Sequence, residues 1–156
     1  MAQHNAFNGN VASAGAGANG EKITLTTAGT ATGLAVVENY VLTGANTFTV
    51  GGTSQIVTAA SVAVNTIKAA GVLTSTANYS GNATDDILSV VDGTNIASAT
   101  IGAAFDNLTF DATSVTGTND VSMTLAQHNA FRGNVAAAGA GANGEEITLT
   151  TAGSAT

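Results

Sequence analysis

Carboxylates are the side chains in this sequence gathered closely enough to suggest chemistry. Asp85 and Asp86, joined by Asp92, form the one local acidic cluster inside the main unit. Calcium takes six to eight oxygen ligands and favours carboxylates, so this turn is the candidate calcium site. A solvated acidic turn explains the same residues. Glu145 and Glu146 form a second pair, but Lys22 stands at the equivalent of Glu146 in the duplicate described below, so that pair reads as a helix end. The histidines His4 and His128 each sit alone in Gln-His-Asn, without a second histidine or an acid at ligand spacing. Each is expected to pack beside Phe7 or Phe131. Nucleophile-elbow, zinc-protease and phosphate-loop patterns are all missing. A lyase on a β-solenoid would need a base beside acidic metal ligands, and Lys68 has no acidic pair near it in sequence. These observations predict a protein that is not an enzyme, with no cofactor required and calcium as the one ion its residues could take.

The elements that would position such residues come in duplicate. Residues 2–32 and 126–156 are identical at 27 of 31 positions, differing only at Asn8/Arg132, Ser13/Ala137, Lys22/Glu146 and Thr30/Ser154. Self-similarity at a fixed offset is the signature of repeat architectures. The division that follows is 1–124 as one full repeat unit, with a helix over 2–16 and solenoid strands over 22–124. Residues 125–156 would open the next repeat with a helix and a first strand. Met1 stands where Leu125 precedes the second copy, so the chain reads as an excised piece of a longer array.

Composition narrows the class. Of the 156 residues, 44% are hydrophobic but only 4% aromatic, which predicts a core of small side chains in repeated layers. Charged residues are 8%, against roughly 25% in an ordinary soluble domain. The net charge of −7 gives no basic footprint for nucleic acid. Cysteine and proline are both absent; the first excludes disulfides, and the second suits uninterrupted β ladders. No apolar run is long enough for membrane insertion.

Local patterns then assign elements. Thr124-x-x-Gln127 has the form of a capping box opening a helix over 125–138, with Leu125, His128, Phe131 and Val135 on one face. The first copy lacks the threonine cap. Ile23 to Thr27 reads as a strand, and strands of four to seven residues follow, punctuated by Gly, Asn and Asp: 36–42, 47–50, 55–58, 72–76, 86–91, 105–110 and 121–124, with a longer apolar alternation over 61–70. A weaker likeness between 23–42 and 87–110, near half of the 124-residue spacing, suggests half-repeats that stack on each other, with Asn39 and Asn107 at matching turns. The predicted fold is all-β, a parallel β-solenoid or β-roll with a short capping helix in each copy. A β-sandwich is the alternative.

The order Ala-Gln-His-Asn-Ala-Phe, Ile-Thr-Leu-Thr-Thr-Ala-Gly, Val-Glu-Asn-Tyr-Val-Leu, Asn-Thr-Phe-Thr-Val and Phe-Asp-Asn-Leu-Thr-Phe resembles repeat units of very large secreted bacterial surface and adhesin proteins, related to the calcium-binding β-roll (repeats-in-toxin) group. The resemblance implies a secreted, extracellular or cell-surface location. The calcium signature of that group is tandem Gly-Gly-x-Gly-x-Asp-x-Leu-x. The nearest segment here, 81–89, keeps Asp86 and Leu88 in register and lacks two of the glycines.

The function expected is an extracellular structural repeat. It would stack on neighbouring repeats of its own chain, or self-assemble head to tail into a filament, surface layer or biofilm matrix. The C-terminal copy would cap the solenoid and leave the N-terminal copy as an equivalent spare, so the assembly interface would involve Ile23, Leu25, Phe131, Val135, Ile147 and Leu149. The alternative is an adhesin stalk, or a module whose threonine-rich strands bind glycan or ice.

Overall fold

The computed structural model describes residues 2–6, 20–82, 85–111, 119–131, 135–137 and 144–154. It begins with helix α1 (Ala2–Ala6), followed by strands β1 (Lys22–Leu25), β2 (Gly29–Thr32), β3 (Asn39–Leu42) and β4 (Asn46–Thr49). Next come β5 (Ile56–Ala59), β6 (Thr66–Ala69), β7 (Asn78–Ser80), β8 (Ile87–Val90), β9 (Thr94–Asn95) and β10 (Thr100–Ile101). The chain continues through β11 (Asn107–Phe110), β12 (Asn119–Met123), helix α2 (Leu125–Ala130), β13 (Val135–Ala137) and β14 (Glu145–Leu149).

Consecutive strands do not pair. They distribute over three sheets, ordered β1-β3-β5-β7-β10, β2-β4-β6-β8-β11-β13 and β9-β12-β14. Every pairing between these strands is parallel. Parallel neighbours cannot be joined by hairpins, so the chain must travel round between them. The result is an all-β parallel solenoid, and the β-sandwich alternative falls because it needs antiparallel ladders.

Coil length grows along the axis. Lys22 pairs with Asn39, 17 residues on, whereas Leu108 pairs with Val135, 27 residues on. The first coils are essentially two-sided. The third sheet opens at the Val72–Asn95 bridge and widens through β9 and β12.

Alternation within each strand builds the core. In β3, Tyr40 and Leu42 turn inward, and in β4 Phe48 does, while their neighbours are partly exposed. Register then stacks inward residues into columns: Ile23, Tyr40, Val57 and Tyr79 in the first sheet. The second sheet stacks Ala31, Phe48, Ile67, Leu88, Leu108 and Val135. Both ends of the described chain enter one continuous core, from Leu25 to Phe131. At roughly 25 cal/mol per Å² of apolar surface, these columns are the main stabilising term.

Buried polar side chains hold the corners. Asn46, which opens β4, and Asn65 and Asp86, which immediately precede β6 and β8, stand in register and are 3%, 0% and 0% exposed. The Asn46 N–H donates to Asn65 Oδ1 at 3.1 Å, and the Asn65 N–H donates to Asp86 Oδ1 at 2.8 Å. Such a ladder satisfies turn backbone that would otherwise be buried without partners. Asn39 and Asn107 do not form it: they begin strands in different sheets, β3 in the first and β11 in the second. The half-repeat expectation fails with them, because β1 and β3 lie in the first sheet and the strands matched to them, β8 and β11, in the second.

The capping box is present as expected. The Gln127 N–H donates to Thr124 Oγ1 at 3.1 Å, and the Thr124 N–H donates to Gln127 Oε1 at 2.8 Å. The helix it opens is shorter than the sequence suggested, ending at Ala130. Val135 lies on β13 and stacks over Leu108 instead of continuing the helical face. In the first copy α1 covers Ala2–Ala6; the remainder of the expected 2–16 helix lies outside the described residues. Among the described residues no helix is long and apolar enough to cross a membrane.

Candidate assembly interface

The three acidic residues of the candidate calcium turn have different surroundings. Asp85 is exposed on the turn, and Asp86 is buried and accepts the Asn65 N–H. Asp92 Oδ1 accepts the Asp120 N–H from the following coil at 3.0 Å. Among the described residues no three His, Cys, Asp or Glu side chains gather in a way that would hold a metal ion. Lys68 pairs with Asp111 at 2.8 Å across the outer face of the second sheet. His4 Nε2 lies 3.2 Å from the buried Tyr40 hydroxyl, and the two rings meet edge to face. His128, by contrast, is partly exposed and has Asn129 Oδ1 3.2 Å from Nδ1.

The duplicated segments occupy the two ends of the solenoid. β1 is the outermost strand of the first sheet, and β14 the outermost strand of the third. Their local backbones match. Gly20 and Gly144 have φ +49° and +77°, and Gly29 and Gly153 have φ +141° and +148°. These left-handed values favour glycine, so each copy needs it at the same two turns.

The copies differ in what covers them. β3 lies on β1, so Leu25 is only 2% exposed, whereas its counterpart Leu149 is 37% exposed. Over the first copy, Glu38 Oε2 accepts the Glu21 N–H at 2.7 Å, and the Asn39 N–H donates to Glu21 O at 2.9 Å. A Cβ on Gly20 would lie 2.9 Å from both Asn39 Nδ2 and Glu38 Cβ. On Gly144 the same Cβ meets none of the described residues within 4 Å.

Of the residues predicted for an interface, Ile147 and Leu149 lie on the open end strand. Ile23 is partly buried and Leu25 fully buried beneath β3. Phe131 is 1% exposed and belongs to the core of its own chain, whereas Val135 is partly buried on β13, the end strand of the second sheet.

Sequence reasoning missed a device that binds each coil to the next. Gln55 Nε2 donates to Leu34 O at 2.8 Å and Val37 O at 2.7 Å, closing that turn from above. Gln127 Nε2 repeats the pattern on Ile96 O at 2.8 Å and Ala99 O at 2.9 Å. The same glutamine thus caps α2 and anchors it to the coil below. Above α2, Thr151 Oγ1 accepts the Leu125 N–H at 2.9 Å. Comparison with family models, with curated proteins and with solved structures finds no match for this chain.

Proposed function

We propose that the protein is a structural unit of a linear array, secreted or at the cell surface, whose solenoids join head to tail into filaments or a matrix. The observation that carries this reading is the contrast between Leu25 and Leu149. The same strand sequence is covered by a coil at one end and left 37% exposed at the other. A parallel strand with an open edge also presents unpaired N–H and C=O groups that template further pairing. Contacts between unlike ends of identical molecules generate open filaments when the rotation does not close. The resemblance to secreted bacterial surface repeats is what points to an extracellular setting.

Negative-stain electron microscopy and sedimentation of the purified chain test the reading. Filaments that vanish on deletion of Glu145–Thr156 are expected. Filaments of undiminished length from that truncation would refute it.

A second reading is favoured by the outer face of the second sheet. Thr30 and Thr32 stand in register with Thr47 and Thr49, and Thr66 continues one column. Such a face could bind glycan or ice. Lys68 and Ile87 interrupt it within two further coils, which is why assembly is preferred.

A further inference from the structure

Which element of the neighbouring copy occupies the open end can be read from the other end of the same molecule. The inference rests on the head-to-tail reading and adds the identity, face and register of the contact. Residues 20–25 carry one specific structure on the edge that faces the following coil: the corner Glu38-Asn39 and strand β3. Lys22 pairs with Asn39, Ile23 with Tyr40, Thr24 with Val41 and Leu25 with Leu42. Residues 144–149 repeat this sequence apart from Glu146 for Lys22, and repeat the positive φ of its glycine. They present the groups that Glu38 and Asn39 use at Glu21, and no described residue stands over Gly144 where those two side chains rest on Gly20.

We infer that β14 of one copy receives β3 of a second copy, with Ile147 against Tyr40 and Thr148 against Val41, and that the second copy's own residues 1–32 are displaced in the process. Two strands of the same sequence cannot hold the same edge of β3, so seating β14 there requires β1 to leave. The exchange trades contacts like for like, since the copies are identical at 27 of 31 positions. Covering Leu149 is matched by uncovering Leu25, so the gain to set against the association cost is the order from which the displaced segment is freed. His128 would take the place of His4 beside Tyr40. Because β14 belongs to the third sheet and β1 to the first, the incoming copy is turned about the axis by one face relative to its neighbour. The third sheet of one copy runs on as the first sheet of the next.

The chain has no cysteine, so engineered pairs report directly on register. Thr24, Val41 and Thr148 are not buried, and neighbouring strands lie within disulfide range. Under mild oxidation the full-length V41C/T148C variant should give a ladder of covalent multimers that collapses to monomer on reduction. Oxidised T24C/V41C locks β1 onto its own β3 and should run as monomer and form no filaments. A ladder from T24C/T148C, with none from V41C/T148C, would mean that ends stack without displacement; the exchange would then be wrong and the head-to-tail reading would stand. Filaments from the locked T24C/V41C variant would overturn the exchange equally. No ladder from either T148C variant, together with no wild-type filaments, would remove both.

Discussion

The Asp86 carboxylate accepts the backbone N–H of Asn65 at 2.8 Å, and the aspartate is wholly buried. The sequence places this residue with Asp85 and Asp92 in a candidate calcium turn; its Oδ1 also closes the corner ladder through Asn65 to Asn46. Removing one partner of a buried hydrogen bond strands the other. Asp86→Ala should therefore cost about 2–3 kcal/mol. Asp86→Asn keeps an acceptor oxygen for the Asn65 N–H and should cost less. Urea denaturation with and without calcium checks both: an Asp86→Ala penalty that appears only in the presence of calcium would make the ion, not the ladder, the reason for the residue.

Two buried tyrosines make opposite predictions for the same substitution. The Tyr40 hydroxyl accepts the Leu34 N–H at 2.8 Å, whereas the Tyr79 hydroxyl is buried with no hydrogen-bond partner among the described residues. Tyr40→Phe should destabilise by about 1–3 kcal/mol, because it orphans a buried amide. Tyr79→Phe discards only a polar atom already unpaired, and should be neutral or stabilising. Chemical denaturation at neutral pH separates the two.

The same residues set an alkaline limit. Burial pushes both phenols above their ordinary value of 10.0, and for Tyr40 the bond from Leu34 partly offsets this. Folded-state values above the unfolded ones mean that, past pH 10, the unfolded chain loses protons that the native chain keeps. Stability should thus be flat from neutral pH to about 10, then fall by about 1.4 kcal/mol per pH unit for each tyrosine. Tyr79→Phe should remove one tyrosine's share of that slope; an unchanged alkaline slope would show that Tyr79 does not titrate this way.

What could be read from the sequence was whatever depends on short spacing. Thr124-x-x-Gln127 specifies its capping box within four residues, and Gly and Asn punctuation with period-two alternation specifies strands such as 46–49 and 107–110. What failed depends on coil length. Because coils lengthen from 17 to 27 residues, equal sequence offsets do not reach equal faces, and the apparent half-repeat paired β3 with β11, which lie in different sheets. The Asn46–Asn65–Asp86 ladder was hidden for the same reason: its members are 19 and 21 residues apart. Val135 continues the three- and four-residue spacing of Leu125, His128 and Phe131 and so reads as helical, but it pairs along the edge of β11 as a strand.

Glycine has two separable roles here. A Cβ on Gly51 would collide with the Gly33 carbonyl of the coil below, a backbone group that cannot swing aside. Gly51→Ala should therefore cost about 2–3 kcal/mol or more as overpacking. Gly93 has φ +73° but no described residue within 4 Å of an added Cβ, so Gly93→Ala should cost only about 1 kcal/mol of backbone strain. Equal losses in thermal denaturation would mean that conformation, not close approach, governs both positions.

Gln127 offers the sharpest test of how the last coil is held. Thr124→Ala removes the hydroxyl that accepts the Gln127 N–H, and should cost about 1 kcal/mol, as helix caps do. Gln127→Ala removes the reciprocal half of that box and also both bonds to Ile96 O and Ala99 O. Those carbonyls lie at a turn that α2 covers, so losing their donors should cost about 2–3 kcal/mol. The loss should be local, because α2 is six residues long and is held at an end of the solenoid. Amide hydrogen exchange should accordingly show lost protection over 125–130, with strands β3 to β6 unchanged in Gln127→Ala. If protection instead falls uniformly along the solenoid, the coils unfold as one unit, and the glutamine anchors the whole stack and not its final turn.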